Sequence, residues 1–96
     1  MSGVKDRVAL VTGAGSLDGI GFATARLLYS VGARVAITST TDRINQRREE
    51  IKGTREDVFS QTADLTDRVA VNSLIEQIEN VLGPIEIVIN NAGMVQ

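Results

Sequence analysis

The chain has 96 residues and a formal net charge of −2, and 43% of its residues are hydrophobic while 23% are charged. These values predict one small globular domain, and they give no electrostatic reason to expect a nucleic acid or an anionic membrane as partner. The absence of cysteine and histidine excludes disulfides and removes the commonest metal ligand and general base. The apolar run near the amino terminus is too short for a signal peptide or a membrane span, so we expect a cytoplasmic protein without a metal site.

Two predicted strands flank a predicted helix at the start of the chain. Arg7–Thr12 and Ala33–Ser39 are short, rich in β-branched residues and almost continuously apolar, as strands covered on both faces are. Between them, residues 19–31 carry apolar side chains at the i, i+3, i+4 spacing of a helix, and Gly32 is the expected cap at its carboxyl end.

A polar helix and a weaker strand are predicted next. Asp42 is the expected N-cap of a helix that reaches about Lys52, and its charged run Arg47–Glu50 is interpreted as a solvated helix face. Val58–Ala63 is the third predicted strand.

The last helix and the last strand are the most clearly marked. Thr66 or Asp67 opens a helix that ends at Gly83, and Ile85–Asn90 is the fourth strand. The helix carries one apolar face, made of Val71, Leu74, Ile75, Ile78 and Leu82. The order β-α-β-α-β-α-β with short connections predicts an α/β fold, a parallel sheet with helices on both faces.

In such sheets ligands bind outside the carboxyl ends of the strands, so the loops at that edge are the first place to seek a site. The stretch VTGAGSLDGIG, Val11–Gly21, joins the first strand to the first helix. The amino end of a helix attracts phosphate, and glycines let a ligand approach the backbone. The G-x-G-x-x-G fingerprint would need a glycine where Asp18 stands, and no lysine follows as in a P-loop. The loop alone therefore leaves open whether it binds pyrophosphate or only makes a tight turn.

Together with the other loops, this stretch resembles the short-chain dehydrogenase/reductase family. The matches to that family's TGxxxGxG and NNAG motifs are Thr12-Gly13 with Gly19-Ile20-Gly21, Asp64 after the third strand, and Asn90-Asn91-Ala92-Gly93 after the fourth. The loop between Gly13 and Gly19 is two residues longer than the motif. The resemblance implies a Rossmann-type fold, with residues 1–96 as the amino-terminal, NAD(P)-binding part of a larger doubly wound domain.

The resemblance also implies a coenzyme site. Its expected residues are Gly13, Gly15, Ser16, Leu17, Asp18, Gly19, Ile20, Ser39, Thr40, Asp64, Leu65, Asn91, Ala92 and Gly93. Asp64 would accept from the adenine amino group, although it or Thr66 can instead cap the following helix. Asn90 is expected to tie neighbouring strands together, and Tyr29 to pack in the core.

The end of the second strand favours NADP over NAD. NAD-preferring enzymes usually have a carboxylate there for the ribose hydroxyls, and this chain has Ser39. The run ITSTT resembles 3-oxoacyl-carrier-protein reductases, which use NADPH. Arg43 would supply a cation for the 2′-phosphate or is a solvated residue at the helix start, while Asp18 stands where NADP enzymes often have a basic residue.

The family's catalytic serine and Y-x-x-x-K pair have no counterpart in these residues, because Tyr29 is the only tyrosine and Ala33 lies four positions after it. We therefore predict no catalytic residue and no turnover for the 96-residue chain. For the full-length enzyme we predict hydride transfer between NADP(H) and a carbonyl or alcohol, with a 3-oxoacyl thioester as one candidate substrate and a homo-oligomer, a homotetramer, as the assembly. A nucleotide-binding fragment without catalysis is an alternative. An adenosylmethionine-dependent methyltransferase is a third, against which Ser39 and the NNAG segment argue.

Overall fold

The computed structural model describes residues 3–15, 19–52 and 57–91. All seven predicted elements are present, with ends that differ from the expected ones by at most two residues. They are β1 (Val8–Thr12), α1 (Ile20–Ser30), β2 (Arg34–Ser39), α2 (Ile44–Ile51), β3 (Val58–Thr62), α3 (Arg68–Val81) and β4 (Ile85–Asn90).

The strands form one parallel sheet in the order β3-β2-β1-β4. The chain moves in one direction from β1 to β3 and then returns to place β4 on the other side of β1. At the carboxyl edge Thr12 is aligned with Thr38 of β2 and with Asn90 of β4. The strand order therefore reverses between β1 and β4, which is the switch point where open α/β sheets bind ligands.

Two apolar layers cover the two faces of the sheet, as the sequence predicts. Val11 and Ile37 face α1 and α2, where they pack with Phe22. On the opposite face Leu10 and Ala36 pack against Leu74 and Ile78 of α3 and against Leu82, the residue that follows this helix. Every residue of β1 is buried, because successive side chains point to alternate faces and both faces are covered.

The ends of the helices show which of the predicted capping residues are used. Gly32 and Gly83 have φ angles of +102° and +106°, the left-handed conformation expected just after a helix. Asp67, rather than Thr66, is the N-cap of α3, where its carboxylate accepts from the backbone N–H groups of Val69 and Ala70.

Two expectations for α2 are wrong. Asp42 does not cap the helix: the N-cap is Arg43, which already has helical φ and ψ and makes no side-chain cap bond. The chain enters α2 through backbone turns from Thr41 to Ile44 and from Asp42 to Asn45, so the extended conformation that a cap needs is missing. Arg47 is not solvated but 8% exposed, because it stands in the middle of the buried face of this helix.

Candidate functional site

A cavity of about 410 Å³ lies at the carboxyl edge of the sheet, between the loops that follow β1, β2 and β3. It is lined by Gly13, Gly15, Ser39, Thr40, Thr41, Arg43, Ala63, Asp64, Leu65 and Thr66. Six of these residues belong to the coenzyme site expected from the sequence. The fold thus brings three separate loops into one concave surface at the edge where the topology predicts a ligand.

The glycine loop is held against the end of β2. The backbone N–H of Ala14 donates to the carbonyl of Thr38 at 3.2 Å, which extends the β1–β2 pairing past the end of β1. A Cβ atom on Gly15 would lie 2.7 Å from Oγ of Ser39, well inside contact distance. Glycine is required at position 15 because the loop and the β2 end are this close.

The amino end of α1 lies directly after this loop. Gly19 is its N-cap, no side-chain cap bond is made among the described residues, and the first turn holds no acidic residue. A Cβ on Gly21 would come within 2.5 Å of the carbonyl oxygen of Gly13, so helix and loop are in close contact. Among the described residues, the first-turn N–H groups of α1 thus have no carboxylate like the one that Asp67 supplies to α3, an arrangement that suits a bound anion.

The turn after β2 exposes hydroxyls and one cation. Ser39 donates through Oγ to the carbonyl of Thr41 at 3.0 Å and accepts from the N–H of Thr41 at 3.4 Å, so its hydroxyl closes the turn. Thr40, Thr41 and Arg43 are exposed and line the cavity. This side of the cavity thus offers hydrogen-bond donors and a positive charge.

Asp64 supplies the carboxylate on the opposite side. Its Oδ1 accepts from the hydroxyl of Thr66 at 2.6 Å and from the N–H of Thr66 at 2.9 Å. These two bonds, the hydroxyl first, lower the pKa of Asp64 below its ordinary value of 3.8. Asp64 is therefore ionised at neutral pH and fixed in orientation beside the cavity, and neither it nor Thr66 is the cap of α3.

Thr12 joins β1 to the end of β4. Its Oγ1 donates to Oδ1 of Asn90 at 2.8 Å and accepts from the N–H of Asn91 at 3.0 Å. The expectation that Asn90 ties neighbouring strands is confirmed. Nδ2 of Asn91 is buried and has no acceptor among the described residues.

The remaining expected site residues fall into two groups. Gly19 and Ile20 lie at the start of α1, outside the set that lines the cavity. Ser16, Leu17, Asp18, Ala92 and Gly93 lie outside the described residues. Thr41, Arg43, Ala63 and Thr66 line the cavity but are not in the expected set, although Arg43 is the cation suggested above for the 2′-phosphate. Each lies within four residues of a strand end, which is the signal that would have found them.

An apolar groove of about 390 Å³ lies on the face of the sheet that α3 covers, between α3 and β4. Val71, Leu74 and Ile75 of the predicted apolar face line it, and Leu74, Ile78 and Leu82 of that face are buried in the core. Tyr29 packs against the core on the α1 side, as expected. Within the part of the chain that the structure describes, no cluster of acidic side chains could hold a metal ion, and no helix is long and apolar enough to span a membrane.

The sequence model of the short chain dehydrogenases matches residues 7–96. The chain belongs to the short chain dehydrogenase family. A relative from Streptomyces avermitilis, 1-deoxy-11-beta-hydroxypentalenate dehydrogenase, is 44% identical over 93 residues, which are 96% of this chain and 34% of the relative. The 2,3-dihydro-2,3-dihydroxybenzoate dehydrogenase of Bacillus subtilis is 32% identical over 95 residues, 98% of this chain and 36% of the relative.

Solved short chain dehydrogenases share the fold. One from Bacillus anthracis superposes with a TM-score of 0.85 at 32% identity, over 93% of this chain and 35% of that one. An actinorhodin polyketide ketoreductase solved with NADPH gives a TM-score of 0.83 at 31% identity, over 91% of this chain and 33% of that one. The chain thus spans about a third of the length of the short chain dehydrogenases that it matches. The methyltransferase alternative finds no support in these matches.

The described site fits the nucleotide part of an NAD(P) coenzyme. The amino end of α1, where the N-cap is a glycine, and the close approach at Gly15 and Gly21 suit a pyrophosphate, which needs N–H donors and room beside the backbone. Asp64 is an acceptor held in place for a base, and the Ser39–Arg43 turn bears donors.

Proposed function

We propose that this chain forms the coenzyme-binding part of a short chain dehydrogenase that transfers hydride between NADP(H) and a carbonyl or alcohol. Its residues bind and orient the coenzyme, whose nicotinamide ring supplies the hydride chemistry when it is bound. In this proposal the amino end of α1 holds the pyrophosphate, Asp64 accepts from the adenine amino group, and the β4 end with Asn91 supports the ribose on the nicotinamide side.

The turn after β2 carries the choice of NADP over NAD. An acidic residue at the end of β2 would accept from ribose hydroxyls and repel a 2′-phosphate, and Ser39 does neither. Its hydroxyl is engaged with the backbone of Thr41, so the side chains left to meet a phosphate are those of Thr40, Thr41 and Arg43, which are exposed on the cavity wall. Guanidinium and hydroxyl groups bind phosphate oxygens by charge-assisted and ordinary hydrogen bonds.

Fluorescence titration of the protein with NADPH and NADH tests this choice. We expect NADPH to bind more tightly, and Arg43→Ala to weaken NADPH about tenfold or more while it leaves NADH nearly unchanged, as loss of a charge-assisted phosphate contact would. Arg7→Ala removes the same charge at the opposite edge of the sheet and is the matched control. Tighter binding of NADH, or equal loss for both coenzymes in Arg43→Ala, would contradict the assignment.

The substrate class follows less directly. The ITSTT run at the β2 end resembles 3-oxoacyl-carrier-protein reductases, and one structure similar to this chain is a polyketide ketoreductase solved with NADPH. We therefore propose a 3-oxoacyl thioester as the first substrate to assay with the whole enzyme, whose assembly we propose to be a homo-oligomer. Oxidation of NADPH that depends on an acetoacetyl thioester is the expected result, and reduction of simple ketones alone would refute this substrate class.

A further inference from the structure

Arg47 occupies a position where an apolar residue is expected. It lies between Ile44 and Ile51 on the face of α2 that packs against the sheet and α1, and these two neighbours are 0% and 7% exposed. The spacing i−3 and i+4 places all three side chains on one helix face. The Arg47 side chain is itself 10% exposed, so a guanidinium stands in the middle of an apolar stripe.

The contacts of this guanidinium are incomplete. Nη2 donates to Oε2 of Glu50 at 3.2 Å and makes a long contact of 3.5 Å with Oε1 of Gln46. Nε lies 2.9 Å from Oε1 of Glu50, yet the direction of its N–H is not that of a hydrogen bond, and it finds no other acceptor among the described residues. A buried donor without an acceptor costs about 1–3 kcal/mol, a cost that an apolar side chain at this position would avoid.

Arg47 also contacts the neighbouring helix. Its guanidinium carbon lies over the ring of Phe22, 5.7 Å from the centroid, and Arg26 lies over the same ring at 5.6 Å. Phe22 belongs to the first turn of α1 and is 2% exposed. Two cations thus meet one aromatic ring between α1 and α2, with Glu50 as the carboxylate that pairs with Arg47.

The helix that Arg47 holds is weak by itself but borders the cavity. α2 has eight residues and no side-chain cap, and helices this short depend on tertiary contacts. It begins directly after Arg43, which lines the cavity with Thr40 and Thr41. On its other side Arg48 donates to the carbonyl of Val58 at 2.7 Å, which anchors α2 to β3. Arg47 provides the corresponding polar anchor to α1.

We propose that Arg47 is a positioning residue that fixes α2 in one register against α1 and thereby holds the cavity wall from Thr40 to Arg43 in place for the coenzyme. A directional group that must meet both Glu50 and the Phe22 ring allows fewer arrangements than an apolar side chain would. Departures from the apolar pattern that cost stability are expected where function needs them. This inference rests on the proposed binding of a coenzyme in the same cavity.

Three variants separate positioning from simple stabilisation. Arg47→Met keeps an unbranched apolar stem and removes the charged group, Arg47→Lys keeps a cation, and Arg7→Met removes a charge far from the cavity. The measurements are the thermal midpoint, the Kd of NADPH and of adenosine 2′,5′-bisphosphate, and amide hydrogen exchange in the unliganded protein. Exchange at the backbone N–H groups of Arg47 and Lys52 reports on α2, because both are hydrogen-bonded within that helix.

In Arg47→Met we expect a thermal midpoint equal to or above that of the wild type, a Kd raised about threefold to tenfold for both ligands, and faster exchange in α2 with unchanged exchange in α1. Arg47→Lys should recover most of the affinity, and Arg7→Met should match the wild type. Unchanged Kd and exchange in Arg47→Met would overturn the inference, as would an affinity loss that parallels a fall in the thermal midpoint. If the wild type binds neither ligand, the coenzyme proposal fails, while the exchange comparison still decides whether Arg47 fixes α2.

Discussion

Replacement of Gly21 by alanine tests the close contact between α1 and the glycine loop. In an unconstrained helix this change raises stability by about 0.5–1 kcal/mol, because glycine loses more backbone entropy on folding. Here the added Cβ would lie 2.5 Å from the carbonyl oxygen of Gly13, 3.0 Å from its carbonyl carbon and 3.2 Å from Cα of Ala14. All three atoms belong to the backbone, so no flexible side chain can move aside.

The structure sets the size of the effect. To restore ordinary contact, the oxygen and the new Cβ must separate by about 1 Å, so α1 must move away from the end of β1. Overpacking of this kind costs about 1–3 kcal/mol, and the helical gain of about 0.5–1 kcal/mol offsets part of that cost. Because the obstacle is backbone, we expect the upper part of the range, a net loss of about 1–2 kcal/mol. The same displacement should weaken coenzyme binding, since the loop and the amino end of α1 move apart.

Urea unfolding of wild type, Gly21→Ala and the control Ala23→Gly measures this effect. Ala23 is an exposed residue of the same helix, so the control should lose about 0.5–1 kcal/mol from helix propensity alone. Both variants are expected to be less stable than the wild type, although the two substitutions run in opposite directions. A Gly21→Ala protein that is more stable than the wild type would show that the contact with Gly13 does not constrain the loop.

Three further substitutions probe single features. Thr12→Val removes the hydroxyl that bonds to Asn90 and Asn91 at the β4 end, and should lower the free energy of unfolding in urea by about 1–3 kcal/mol. The control Thr12→Ser keeps the hydroxyl and should be close to wild type. Equal stability of the valine variant and the wild type would contradict the bridge. The two bonds from Thr66 lower the pKa of Asp64. At a pH above the ordinary pKa of 3.8 the ionised carboxylate therefore adds to the free energy of unfolding, and this contribution is lost as the pH falls through the lowered pKa. Asp64→Asn should flatten that acid limb of a stability profile, and an unchanged limb would refute it. Gly83→Ala places a side chain at φ +106°, where the nearest contact of the new Cβ is 3.8 Å away, so there is no steric clash. The expected loss of about 1–2 kcal/mol in thermal unfolding would therefore come from backbone strain alone. An unchanged thermal midpoint would exclude that strain.

The sequence predicts those features that local chemistry decides. β1 is recognisable because a buried parallel strand needs a continuous apolar run, whereas β4 alternates half-buried and exposed residues and is marked by its three isoleucines and Val88. Gly32 and Gly83 end their helices because each adopts a positive φ. The motif residues also reach the right edge of the sheet, since strand–loop–helix order fixes which end of each strand a loop follows.

Features that depend on tertiary contact are not readable in the same way. Arg47 belongs to a run of charges that a surface helix would also have, and only the packing of α2 on Phe22 buries it. Asp42 has the chemistry of a cap, but the backbone turns before α2 deny it the conformation. The need for glycine at position 15 arises from the side chain of Ser39, which a loop motif read alone does not contain.

The bridge from Thr12 to the end of β4 has a consequence for the order in which the protein is made. Its two sides are separated by 78 positions, and β1 is the central strand between β2 and β4. At a synthesis rate of about 5–20 residues per second, β1 waits roughly 4–16 s on the ribosome before β4 can follow it. During that interval β1 can pair with β2, but its other edge stays open and the switch point has only one side. The cavity between the loops after β1, β2 and β3 can therefore form first, and the switch point beside it gains its second side only when β4 emerges and docks.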